Sequence, residues 1–191
     1  MRICLLIGIL TALVGGGSAH AQEIAAPAEI QVPLLFKILT FDRSLGTRPP
    51  GNVIVIAVVF QTGYRASLVA RNQIVDVLKA MDNPTISGHP VRWVAVEWKD
   101  GEQIGLGLMH ERADVVYVTP LRGVQLGPIM KTARASSMTT FTGVPLYVKQ
   151  GLALGVGIVR EHPQIIVNLR ATRAEGSDFT SQLLRVSTVI E

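Results

Sequence analysis

The chain has 191 residues, 48% hydrophobic and 17% charged, with a formal net charge of +4. That apolar content excludes an intrinsically disordered chain, and the length fits one domain of ordinary size. Lysines and arginines are scattered, with no dense basic run interleaved with aromatics, so nucleic acid is not an expected partner.

In chain order, residues 1–21 read as a cleaved secretory signal. Arg2 gives a positive start, Ile3 to Val14 an apolar core, and Ala19-His20-Ala21 a small-x-small cleavage site. The core is too short to span a bilayer, which takes roughly 20 residues. The expected location is the periplasm, with a mature chain from Gln22. The sole cysteine, Cys4, lies inside the leader and not after the cleavage site, so it is no lipid anchor. The mature chain then has no disulfide, thiol nucleophile or cysteine-bound metal. Losing Arg2, the leader's only charge, lowers the net charge from +4 by one.

Residues 22–29 are a small-residue lead-in, and 30–191 form the expected α/β domain. A first helix is predicted over 30–45, with Leu34, Leu35, Ile38 and Leu39 at helical spacing, ended by the Gly/Pro stretch 46–51. NVIVIAVVF (52–60) reads as a strand covered on both faces. Helix 65–81, strand 91–98, helix 101–112 and strand 113–119 repeat the alternation. A helix over 121–136, interrupted at Pro128, and a short strand over 138–142 follow. Strands 152–160 and 164–169, joined through Glu161-His162-Pro163, predict a hairpin closing one sheet edge. Ser177 is expected to cap a last helix with Phe179, Leu183, Val186 and Ile190 as its buried stripe. The expected fold class is α/β: a single three-layer domain with a mostly parallel open sheet flanked by helices, a C-terminal β-hairpin and a final helix.

Catalytic and cofactor signatures are weak. His89, His110 and His162 lie on separate elements, and His110-Glu111 with Asp114 lacks H-E-x-x-H spacing, so a surface helix end is the plainer reading. The glycines of GLALGVG (151–157) sit inside an apolar strand, where close packing explains them better than a dinucleotide turn. No G-x-S-x-G elbow occurs. Trp93 and Trp98 read as packing residues. No enzyme activity, cofactor or metal is expected.

Candidate binding residues are polar side chains at sheet ends. Gln61, Thr62 and Tyr64 follow the first strand, and Thr119 and Arg122 follow the third, at the carboxyl ends where open α/β sheets bind ligands. Between the last strand and the last helix, Asn168 fixes the exit of the chain. Arg170, Arg173 and Glu175 form either a solvated face or a contact surface.

PLLFKILTFDR (33–43), NVIVIAVVF, ADVVYVTP (113–120) and IIVNLRATRAEGSDFTSQLLRV (165–186) together resemble the YfiR family of YfiR/HmsC-like exported bacterial proteins. The resemblance covers nearly the whole mature chain in order, and the tail is its most specific part. It implies a periplasmic, non-catalytic regulator that docks on the periplasmic domain of a membrane-bound sensor protein, of diguanylate cyclase or kinase type. Docking would restrain cyclic-di-GMP and exopolysaccharide signalling. It also implies self-association as a homodimer. The family's well-known regulators carry redox-active cysteines. The mature chain here has none, so a small-molecule ligand or a competing envelope component is the expected releasing signal. A solute-binding protein and a hydrolase are the alternative readings.

Overall fold

A computed structural model describes residues 24–45 and 53–191. The expected leader and the Gly/Pro stretch that was to stop the first helix lie outside the described residues.

The core strand is β2 (Ile54–Phe60), preceded by β1 (Ile24–Ala25) and α1 (Ala28–Leu39). Its first six residues are all buried. Ile54, Ile56 and Val58 face one apolar layer, while Ala57 and Val59 face the other. A strand's side chains alternate between faces, so a β-branched run without polar residues forms where both faces are covered. From β2 the chain runs through α2 (Arg65–Ala80) and β3 (Thr85–Ile86) to β4 (His89–Glu97), then through α3 (Gly101–His110) to β5 (Val115–Val118). It continues through α4 (Gly127–Ala135), β6 (Thr139–Thr142), α5 (Pro145–Lys149), β7 (Leu154–Val159) and β8 (His162–Asn168). It closes with α6 (Leu169–Ala174), α7 (Ser181–Arg185) and β9 (Thr188–Ile190).

The sheet order is β3-β4-β2-β5-β6-β7-β8-β9, with β1 pairing on β7 beside β6. Pairs from β4 through β7 are parallel, as is β8–β9, and β7–β8 is antiparallel. Helices α1 and α2 cover one face over Ile56, Val115, Tyr117 and Phe141, and α3 and α4 cover the other over Val59, Val116 and Val118. This is the expected three-layer α/β domain. Trp98 is buried in the second layer and Trp93 packs partly buried on the first, as expected of packing residues. Among the described residues no helix is long and apolar enough to cross a membrane.

Several local expectations are corrected. Helix α1 stops at Leu39, short of 45. Pro128 does not interrupt a helix but sits in the first turn of α4, where proline's missing N–H costs nothing. The β7–β8 turn is Arg160-Glu161, both at positive φ (49° and 67°), and His162 and Pro163 already belong to β8. A two-residue hairpin turn of this kind needs left-handed backbone at both positions. The hairpin does not close the sheet, because β9 pairs outside β8. Ser177 caps no helix: it is buried, its hydroxyl 2.7 Å from that of Thr139. Phe179 and Leu183 are buried as expected, but Val186 is 72% exposed and Ile190 lies in β9. The helix ends at Arg185, so the 3.6-residue stripe has no continuation to hold.

The glycine-rich strand is a packing device. A Cβ on Gly155 would meet Val148 Cγ2 at 2.5 Å, and one on Gly157 would meet Pro145 Cγ at 2.7 Å. Bare backbone there lets α5 lie close against β7.

Candidate functional site at the carboxyl ends of the parallel strands

Strand β2 sends the chain to β4 on one side, and β4 returns it to β5 on the other. Connections therefore leave in opposite directions between β2 and β5, which opens a crevice at the carboxyl ends of those strands. The two loops bordering it are tied together by Gln61. Its amide oxygen accepts from Arg122 N at 2.9 Å, and its amide nitrogen donates to Arg122 O at 3.1 Å. Gln61 N in turn donates to Ser67 Oγ at 2.8 Å. Thr119 Oγ1 donates to Val59 O at 2.9 Å, so in its 2.7 Å contact with Ser67 it is the acceptor. Each hydroxyl has one proton, so this chain of bonds runs in one direction and fixes both loops. Tyr64 opens α2, its N–H on Gln61 O at 3.2 Å, while Thr62 and the Arg122 side chain are exposed.

Beside this joint lies a cavity of about 340 Å³, between the amino end of α1, one face of α2 and the ends of β5 and β6. Its apolar walls include Ala26, Ala28, Ala70 and Ile74. Its polar lining is Gln31, Gln73, Tyr117 and Thr119. Tyr117 is 1% exposed, its ring 5.0 Å from that of Phe141, and its hydroxyl donates to Gln31 Oε1. Gln31 Nε2 donates to Ala26 O. Burial pushes the Tyr117 phenol far above its ordinary pKa, so it stays a neutral hydrogen-bond donor. The Gln31 amide rests against bare backbone at Gly143, where any Cβ would collide with it. Gln31 thus joins α1 to the ends of β5 and β6.

The sequence-predicted residues fall into two groups. Gln61, Tyr64 and Arg122 gather at the crevice, where Thr119 lines the cavity. Asn168, Arg170, Arg173 and Glu175 lie on and beside α6, near the amino ends of the parallel strands. Asn168 caps α6: Oδ1 accepts from Ala171 N at 2.9 Å, and Nδ2 donates to Val148 O at 3.1 Å. Arg170 and Arg173 are exposed beside Glu191 in a shallow groove. Glu175 is neither solvated nor on the surface. It is 0% exposed, accepting from Thr140 N at 2.7 Å and Thr140 Oγ1 at 2.8 Å. The linker that was to carry it is the helix α6, whose last turn directs Glu175 inward.

Sequence reading does not single out Gln31, Tyr117, Gln73 or Gly143. One signal was present: Gln31 is a polar residue on the apolar stripe that Val32, Leu35 and Leu39 continue. A buried polar group on such a stripe has a partner. Of the groups weighed for metal chemistry, His110 and Glu111 are neighbours at a helix end, Nδ1 to Oε1 3.4 Å, with the His110 side chain 85% exposed. Among the described residues no three His, Cys, Asp or Glu side chains come together.

Comparison with solved structures finds the same fold. A conserved domain protein from Vibrio cholerae O1 biovar El Tor superposes with a TM-score of 0.62 at 14% identity, covering 87% of this chain and 60% of that one. The ABC domain of a Streptococcus pneumoniae protein, solved in complex with L-Trp, gives 0.58 at 14% identity, covering 86% of this chain and 60% of that one. The ligand-free, open form of CD0873, a substrate-binding protein with adhesive properties from Clostridium difficile, gives 0.56 at 16%, covering 87% and 60%. The chain thus spans about 60% of the length of these neighbours. A comparison with curated proteins returned no match. A family model described as YfiR/HmsC-like matches residues 34–188, from the middle of α1 to the start of β9, and the chain belongs to that family.

Proposed function

We propose that this protein is an exported, periplasmic, non-catalytic regulator that docks on the periplasmic domain of a membrane-bound signalling protein and holds it inactive, restraining cyclic-di-GMP and exopolysaccharide output. The observation that carries this reading is family membership across residues 34–188. Inhibition would work by population shift. The regulator binds the inactive receptor more tightly than the active one, and a 100-fold difference moves the equilibrium by about 2.7 kcal/mol.

The proposed contact surface is α6. Arg170 and Arg173, three residues apart, lie on neighbouring positions of one helical face. Neither has an ion-pair partner among the described residues. Asn168 and Glu175 position this helix from beneath. Exposed guanidinium groups favour an acidic partner surface, since arginine pairs with carboxylates in forked geometry. Gln61, Tyr64 and Arg122 form a second candidate surface at the opposite end of the sheet.

Deleting the gene is expected to raise cellular cyclic-di-GMP, and complementation with Arg170→Glu/Arg173→Glu is expected to leave it raised while the purified variant keeps the wild-type Tm. Unchanged cyclic-di-GMP together with impaired uptake of a solute would instead identify a solute receptor. The cavity at the crevice and the fold shared with a substrate-binding protein favour that second reading.

A further inference from the structure

The geometry points to the cavity at the carboxyl ends of β5 and β6 as a binding site for a small, uncharged, mainly apolar molecule bearing one amide- or hydroxyl-type group. It rests on the reading of the chain as a binding module and names the chemistry of an effector for it.

Three observations carry the inference. The cavity lies at the carboxyl ends of β5 and β6, beside the switch point between β2 and β5, on the side of an open α/β sheet where ligands bind. Small residues keep it open: Ala26, Ala28 and Ala70 line it where larger side chains would fill it, and Gly143 gives up its Cβ to the Gln31 amide. At about 340 Å³ it sits at the small end of ligand pockets.

The lining sets the ligand class. Among the described residues no Asp, Glu, Lys or Arg side chain borders the cavity, so a charged ligand would lose hydration there without gaining a counter-ion. The hydroxyl protons of Tyr117 and Thr119 are already given to Gln31 and Val59. Gln73, exposed on α2, has no hydrogen bond from its side-chain amide among the described residues. That amide offers a donor and an acceptor together, which suits an amide or hydroxyl on an otherwise apolar body.

The test uses the ¹⁵N-labelled protein and three neutral probes, benzamide, indole and benzyl alcohol, with benzoate and benzylamine as charged counterparts. At least one neutral probe is expected to give saturable shifts of the Gln31 and Gln73 side-chain amides and the Thr119 backbone amide. Half-saturation is expected at about 1–10 mM, ordinary for so few atoms. Benzoate and benzylamine should bind at least tenfold more weakly. Ala70→Phe, and Ala70→Leu should the larger variant fail to fold, removes the shifts. Leu106→Ser, on the exposed side of α3, retains them. Three neutral probes without saturable shifts, shifts that persist in a folded Ala70 variant, or equal binding of a charged counterpart would each overturn the proposal. The measurement needs no partner, so its failure leaves the cyclic-di-GMP test of docking standing.

Discussion

At the amino ends of the parallel strands, carboxyl groups grip the backbone. At the carboxyl ends of the same strands, neutral amides and hydroxyls surround a cavity. Asp114 accepts from Val55 N at 2.9 Å, Glu175 accepts from Thr140 N, and Asp42 Oδ1 accepts from Ser44 N at 3.0 Å and Asp178 N at 2.9 Å. The other end has the Gln61–Arg122 joint and the Gln31–Tyr117 bond, with no charged side chain among the described residues of the cavity wall. Hydrogen bonds to charged groups contribute more than neutral ones, so the first arrangement ties strand starts and distant loops down firmly. The second leaves room. Helix α1 spans the two ends, with Gln31 near its start and Asp42 just past its finish. The contrast puts the carboxylate anchors at one end of the sheet, beneath α6, and the cavity at the other.

The largest expected effect breaks the amino end. Glu175→Ala leaves the Thr140 N–H without its acceptor and opens a void, costing about 3 kcal/mol. Tm should fall by roughly 6–12 °C in a circular-dichroism melt. A fall of under about 2 °C would show that the buried carboxyl holds nothing.

Gly143→Ala tests the carboxyl end. Its Cβ would displace the Gln31 amide, with an overpacking cost of about 2 kcal/mol. Loss of the Tyr117–Gln31 bond should be visible as a shifted Gln31 side-chain amide signal. Tyr117→Phe keeps the ring contact with Phe141 and removes only the hydroxyl, so about 1 kcal/mol is expected from a denaturant midpoint. A larger loss in Tyr117→Phe than in Glu175→Ala would reverse the contrast between the two ends.

The smallest effect concerns Arg43 and Asp178, a forked pair at 2.8 and 2.9 Å on the surface. The hydrogen bond from Arg43 holds the Asp178 carboxyl below its ordinary range; desolvation opposes it, and the Arg43 charge adds a lesser lowering. A folded-state pKa below the unfolded one contributes stability that is present above the unfolded value. That contribution is lost as pH falls through the folded value. Both groups are exposed, so the change in Tm should be slight. A carbon-detected titration should place the Asp178 midpoint below that of a free aspartate, and Arg43→Gln should return it.

Much of the fold was legible because its main signals are periodic. NVIVIAVVF reads as a doubly covered strand and holds β2, and the helix expected over 65–81 is α2, Arg65–Ala80. Helices α5 and α6 were not legible: they have five and six residues, too few for a 3.6-residue period to be read. Glu175 misled for that reason: without α6 its carboxyl belongs to a solvated linker, and with α6 it turns inward. The site was half legible. Gln61, Thr119 and Arg122 follow strands and could be placed at strand ends from order alone. Gln31 and Gly143 meet only because α1 lies across the end of β6, more than a hundred residues later in the chain.

The alternation of strand and helix, the two-sided cover of the central strand and the family are legible in the residues alone, since each is written in local pattern or ordered motif. The strand order, the burial of Glu175, the closing parallel strand β9 and the cavity beside the crevice emerge only in the folded molecule. These depend on which distant segments pack together. Local periodicity gives the face a residue presents, not the neighbour that covers it.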